Sequence, residues 1–146
     1  MKSEIERFER VIAMVRQEFP HLAMEVSRGE HHSMEASADL AQQPGLDFDV
    51  HIDLQADALN LCVAGLWVEM FPCSKSEVFE PFMGAVRGVL SGEYRIRKSY
   101  VGSHLSATQL ERPENERWIP VATDFKWSWL IPRRRTHQIV QNRAAH

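Results

Sequence analysis

Along the first twenty residues, apolar positions recur at helical intervals, with Ile5, Phe8, Val11, Ile12, Val15 and Phe19 leading up to Pro20. Ser3 and Glu6 stand ahead of them at capping-box spacing, so the pattern predicts a helix with Glu4, Arg7, Arg10 and Gln17 turned to solvent. Leu22, Met24 and Val26 then alternate with Ala23, Glu25 and Ser27, the period of a short strand with one buried face. Residues 28 to 45 show no period, and Gly29, His31, His32, Ser33, Ser37 and the Pro44-Gly45 pair predict a loop.

The clearest alternation occupies residues 46 to 54, where Leu46, Phe48, Val50, Ile52 and Leu54 interleave with Asp47, Asp49, His51 and Asp53. It predicts a strand with one apolar and one anionic face. Residues 55 to 58 predict a tight hairpin into residues 59 to 71. In that run, Leu59, Leu61, Val63 and Trp67 share one parity, and Cys62, Ala64, Leu66, Val68 and Met70 share the other. A strand apolar on both sides belongs in the middle of a sheet with both faces covered, and Gly65 marks a bulge or a close backbone approach. A second helix is expected after Phe71-Pro72-Cys73: Ser74 and Glu77 repeat the capping-box spacing, and Val78, Phe79, Phe82, Met83, Val86, Val89 and Leu90 form a stripe that stops at Ser91-Gly92. Pro81 predicts either a separate first turn or a regular helix that begins there. Strands follow over residues 94 to 101, 104 to 111 and 118 to 123, the last with Pro120 at an edge, and the chain closes on Phe125, Trp127 and Trp129 at alternate positions and a basic, polar end.

The order α-βββ-α-ββ(β) predicts an α+β domain over residues 1–146, with an antiparallel sheet of five to six strands, two helices on one face, and a mobile tail from about residue 136. The second apolar parity of residues 62 to 70 then calls for a cover, supplied by a second chain, by the C-terminal aromatic segment or by both, and a homodimer or another protein is the expected partner. Over about residues 3 to 123 this element order resembles the type III secretion chaperones and the YbjN-like proteins. That resemblance implies dimers that bind a segment of another protein. The run Trp67-Val68-Glu69-Met70-Phe71-Pro72-Cys73, with Leu90-Ser91-Gly92-Glu93-Tyr94-Arg95, resembles small bacterial proteins of unassigned function and implies no chemistry.

Composition adds that 44% apolar residues in a 146-residue chain suffice for one core without disulfide or metal, and Cys62 and Cys73 form no CxxC pair. No apolar run approaches the ~18 residues of a membrane span, so no membrane partner is expected. The first residues lack a secretory pattern, which together with the cysteine usage points to the cytoplasm. The formal charge of −3 divides into −9 over residues 1–80 and +6 over residues 81–146. Such a division fits two surfaces with different partners, or segments that neutralise each other within the fold.

The residues that could carry chemistry lie on the same features. Asp47, Asp49, His51 and Asp53 share a strand face and are partner-binding candidates. Asp47, Asp49 and His51 also carry a metal alternative for Mg²⁺, Mn²⁺ or Ca²⁺, although same-face residues stand nearly 7 Å apart along a strand. Arg95 and Arg97 project together and are expected to pair with that acidic face. His31, His32, Glu30 and Glu35 read as a surface loop. Cys73, ahead of a helix N-terminus where the dipole favours thiolate, is the one nucleophile candidate. Trp118, Trp127 and Trp129, with Lys126, Arg133, Arg134 and Arg135, form an aromatic-basic end suited to a partner or, as a third reading, to nucleic acid. No P-loop, GxGxxG, HExxH or GxSxG occurs, and no cofactor is expected. The leading expectation is therefore a non-catalytic protein-binding module of chaperone, adaptor or immunity type, ahead of a small metal-dependent or cysteine enzyme.

Overall fold

Helix α1 (Lys2–Glu18) forms where the apolar spacing predicts it and buries Phe8, Val11, Ile12, Met14 and Val15. The structure, a computed structural model, describes residues 2–31, 34–126 and 134–145. Strands β1 (Glu25–His31), β2 (Met34–Leu40), β3 (Val50–Gln55), β4 (Ala58–Val63) and β5 (Leu66–Met70) pair in chain order as one antiparallel sheet. After α2 (Ser76–Ser91), strands β6 (Arg95–Val101), β7 (His104–Glu114), β8 (Arg117–Phe125) and β9 (Arg135–Val140) form a second antiparallel sheet in the order β8-β7-β6-β9. The class is α+β, with the expected alternation of helix and strand blocks. The expectation of one sheet is corrected to nine described strands in two sheets, and the extra strands have identifiable causes.

The first is a turn inside the doubly apolar run. Ala64 (φ 50°) and Gly65 (φ 83°) make a two-residue left-handed turn, so residues 58 to 70 are a hairpin and not one strand. Leu61 faces Val68 and Val63 faces Leu66 across that hairpin, which places both parities of the run on one buried face. The opposite face carries Asn60, Cys62, Trp67 and Glu69, so the apolar row that called for a second chain does not exist. The second cause lies in residues 28 to 45, expected as a loop. Ala36, Ala38 and Leu40 of β2 point inward and are buried, while Ser37 and Asp39 alternate with them. Alanine signals strand weakly, which hides the period.

Three boundaries also move. The strand expected at residues 22 to 26 begins at Glu25, because Leu22 closes a turn on the Phe19 carbonyl. The strand expected from residue 46 begins at Val50, leaving Asp47 and Asp49 in the preceding turns. Helix α2 runs unbroken through Pro81, starting before it in a single helix. Its N-cap is Lys75, without a side-chain cap bond, and the Ser74 hydroxyl donates to Asp57 Oδ2 (3.2 Å) in place of a capping box.

Both helices pack on one face of the first sheet, α1 over β2 and β3 and α2 beside β5. Ile96 of β6 and Leu110 of β7 join the same buried cluster as Ile52, Leu61 and Phe82. Gly88 of α2 lies against the ring of Tyr94, where a Cβ would overlap the ring carbons. The segment expected as a mobile polar tail instead supplies β9 and then Asn142, which is 0% exposed. The Asn142 amide nitrogen donates to the carbonyls of Leu90 (2.7 Å) and Gly45 (3.0 Å), and its oxygen accepts from Asp47 N–H (3.0 Å). Among the described residues, no helix is long and apolar enough to cross a membrane.

Candidate functional site

The face of the first sheet away from the helices alternates with the core, so it receives the polar residues of β2 to β5. Direct pairing sets Asp39, His51, Cys62 and Trp67 in one row, and Ser37, Asp53, Asn60 and Glu69 in the next. Side chains link these rows. His51 Nδ1 lies 2.7 Å from Asp39 Oδ1, and His51 Nε2 lies 3.1 Å from Asp53 Oδ2. Asn60 donates to the other oxygen of Asp53 (2.8 Å), and the Trp67 indole N–H donates to the Asn60 oxygen (3.0 Å). Asp53 and Asn60 are 5% and 2% exposed, which hydrogen bonding at every step of this chain makes tolerable.

The chain ends at an open cleft of about 600 Å³ where β8 approaches the first sheet. Asp39, Asp49, His51 and Trp67 line one part, and Asp124 and Lys126 the other. Trp67 is 57% exposed although its indole edge is fixed through Asn60. Lys126 Nζ lies 3.1 Å from Asp124 Oδ2, so the cation on this wall is already paired.

The four residues of the expected acidic strand face are thus divided. His51 and Asp53 belong to the network, whereas Asp49 accepts from Gln42 N–H (2.7 Å) and Asp47 accepts from the backbone N–H groups of Arg143 (2.8 Å) and Ala144 (3.1 Å). Among the described residues, no three His, Cys, Asp or Glu side chains are grouped to hold a metal ion. The expected pairing of Arg95 and Arg97 with this face is also corrected. Arg95 donates to Glu111 Oε1 (2.8 Å) and stacks 4.1 Å from the Trp118 ring centre, and Arg97 stands opposite Gln109 and Ile139, all in the second sheet. Trp127, Trp129, Arg133 and His32 lie outside the described residues.

Cys73 departs furthest from its expectation. Burial, then the hydrogen bond to Asp57 (3.4 Å) and that carboxylate's charge, push the thiol up to about 12. Helix α2 begins three residues later, and burial first, with the carboxylate next to the sulfur second, sets the thiol's character. Cys62, half-buried at the cleft, is also raised by burial and by Asp53.

Sequence reasoning missed Asp39, Asn60 and Asp124 as site residues, assigned Lys126 to the aromatic-basic end, and counted Trp67 among core positions. A parity change at Ala64-Gly65 is the signal that turns Trp67 outward. No family model, curated protein or solved structure matches the chain.

Proposed function

We propose that this protein is a non-catalytic binding module of the cytoplasm, of chaperone, adaptor or immunity type, and that its cleft takes a segment of another protein. The observation that carries this reading is Trp67: a large aromatic more than half exposed at a cleft, with its orientation held by a buried polar chain. Exposed, rigid aromatics are the usual anchors of protein contacts. The alternatives have weaker support. Both ring nitrogens of His51 are engaged by carboxylates, so neither faces the cleft with a free lone pair, and the Cys73 thiol is buried and held protonated.

An array of short peptides of varied composition, probed with the purified protein, tests the reading. A subset should bind, and Trp67→Ala should weaken binding at least about tenfold while the far-ultraviolet circular dichroism is kept. Absence of any binding, or binding indifferent to Trp67, overturns it. Sedimentation of the unliganded protein separately tests pairing of two copies, which the first sheet no longer requires.

The second sheet favours one other reading, single-stranded nucleic acid. Its outer face carries the Arg95–Trp118 stack, Arg97 and Phe125, the last 57% exposed. An oligonucleotide would stack there and lose affinity steeply with salt. Anisotropy of a labelled oligonucleotide at low salt decides it, and no change removes the reading.

A further inference from the structure

His51 meets a carboxylate at each ring nitrogen, Nδ1 at Asp39 Oδ1 (2.7 Å) and Nε2 at Asp53 Oδ2 (3.1 Å). A carboxylate oxygen only accepts, so two such contacts require N–H at both positions, which is the arrangement of an imidazolium. A neutral ring carries one N–H and turns a lone pair toward one of the two acids. Histidine is the side chain that ordinarily exchanges this second proton within about pH 5 to 8.

The two acids are unequal. The Asp53 side chain is 7% exposed and its other oxygen accepts from Asn60 (2.8 Å), so a lone pair set against it would take a donor from a buried charge. The Asp39 side chain is 59% exposed and lines the cleft, where water replaces a lost donor at little cost. The single proton of a neutral ring therefore belongs on Nε2, toward Asp53, and the contact that opens is the one to Asp39. The other charged and titratable groups nearby leave both nitrogens to these acids. Cys62 of β4 stands directly across from His51, with its thiol pushed up by burial and by Asp53, and Glu69 of β5 stands in the next row, opposite Asn60. Asp49, ahead of β3, accepts from Gln42 N–H, and Asp124 of β8 is paired with Lys126 on the other wall.

We infer that Asp39, His51 and Asp53 form a proton-operated latch on the wall of the cleft. With the second proton in place, Asp39 is tied to the ring. When that proton passes to water, the Asp39 carboxylate is released into the cleft, while His51, Asp53, Asn60 and Trp67 stay linked. The cleft then carries one more negative charge with its aromatic unmoved. The latch is a property of the chain alone and holds whatever the cleft takes.

Nitrogen-15 NMR of the His51 ring, followed over about pH 5 to 8 in the purified protein, provides the test. Both ring nitrogens should show protonated shifts at the acid end, and only Nδ1 should move to the unprotonated shift at the other. Over the same range, three-bond couplings should show the Asp39 χ1 passing from one rotamer to an average of several. Asp39→Asn, an isosteric change at an exposed side chain, should leave the ring titrating and χ1 at position 39 fixed, because an amide accepts from Nδ1–H and, turned over, donates to a bare Nδ1. Four results in the native protein each overturn the inference: loss of the proton from Nε2 in place of Nδ1, an unprotonated Nε2 at the acid end, a ring that does not titrate in this range, or an Asp39 rotamer fixed throughout. Averaging of χ1 in Asp39→Asn to the same extent as in the native protein also overturns it.

Discussion

The five-stranded sheet lies under two helices, with Ile52, Leu54, Leu59 and Leu61 all 0% exposed, and its opposite face is knitted by carboxylates, His51 and Asn60. The four-stranded sheet has exposed outer strands, and its last strand, β9, has no fully buried residue. Charge follows the same line. The chain through Tyr94 carries 16 acidic and 7 basic residues, and from Arg95 onward it carries 4 acidic and 10 basic ones. The uneven charge along the sequence is therefore an uneven charge between two sheets. In one sheet the buried Asp53 is bonded through His51 and Asn60, and in the other the buried Glu111 is bonded through Arg95. Two surfaces with different chemistry result, and the cleft lies where β8 of the second sheet meets the first.

If stability resides in the first sheet, Ile52→Ala should cost about 3–4 kcal/mol, whereas Ile139→Ala in β9, 38% exposed, should stay within about 0.5 kcal/mol. Urea unfolding measures both, and similar costs would erase the distinction. The seam between the regions comes next. Gly88→Ala should cost about 2 kcal/mol, because its new methyl overlaps the Tyr94 ring at the passage from α2 to β6. Tyr94→Ala should relieve most of this cost, and additive costs in the double variant would show that the contact is not its cause.

The smallest expected effect reports how well the first region is sealed. Cys73, 0% exposed and pushed up to about 12, should react with iodoacetamide at pH 8 only at the rate of large-scale opening. Backbone amides of β9 should exchange far sooner. Because the native thiol holds its proton more tightly than the unfolded one, its contribution to stability is present below about pH 9 and is lost as pH rises toward 12. Cys73→Ser should flatten that alkaline decline, measured by urea unfolding across the range, and an unchanged slope would count against the raised thiol.

The same contrast explains what could be read in advance. Helix α1, helix α2 and the core of β3 and β4 announce themselves, since burial of Phe8, Phe82, Ile52 and Leu61 imposes strict periods. Strand β2 does not, because Ala36 and Ala38 are small enough to bury without looking apolar. Strand β9 is held by pairing with β6, with Val140 beside Ile96 and Thr136 beside Tyr100, and a ladder at a sheet edge leaves little trace in side-chain pattern. At the site, His51 and Asp53 were legible as a polar face. Their junction with Asp39, Asn60 and Trp67 was not, because it depends on registers across four strands and on one change of parity at Ala64-Gly65.

The Asn142 clasp has a consequence for the order of folding. It joins Asp47 to a residue 95 positions away, and the length-dependent part of closing such a loop is about 4 kcal/mol by chain-entropy scaling. No local contact can offset that cost early, so the clasp forms after both sheets have drawn its ends together. An interaction made after the rate-limiting step acts as a brake on unfolding and leaves the folding rate unchanged. Removal of the Asn142 amide is therefore expected to speed unfolding and to leave the folding rate nearly unchanged.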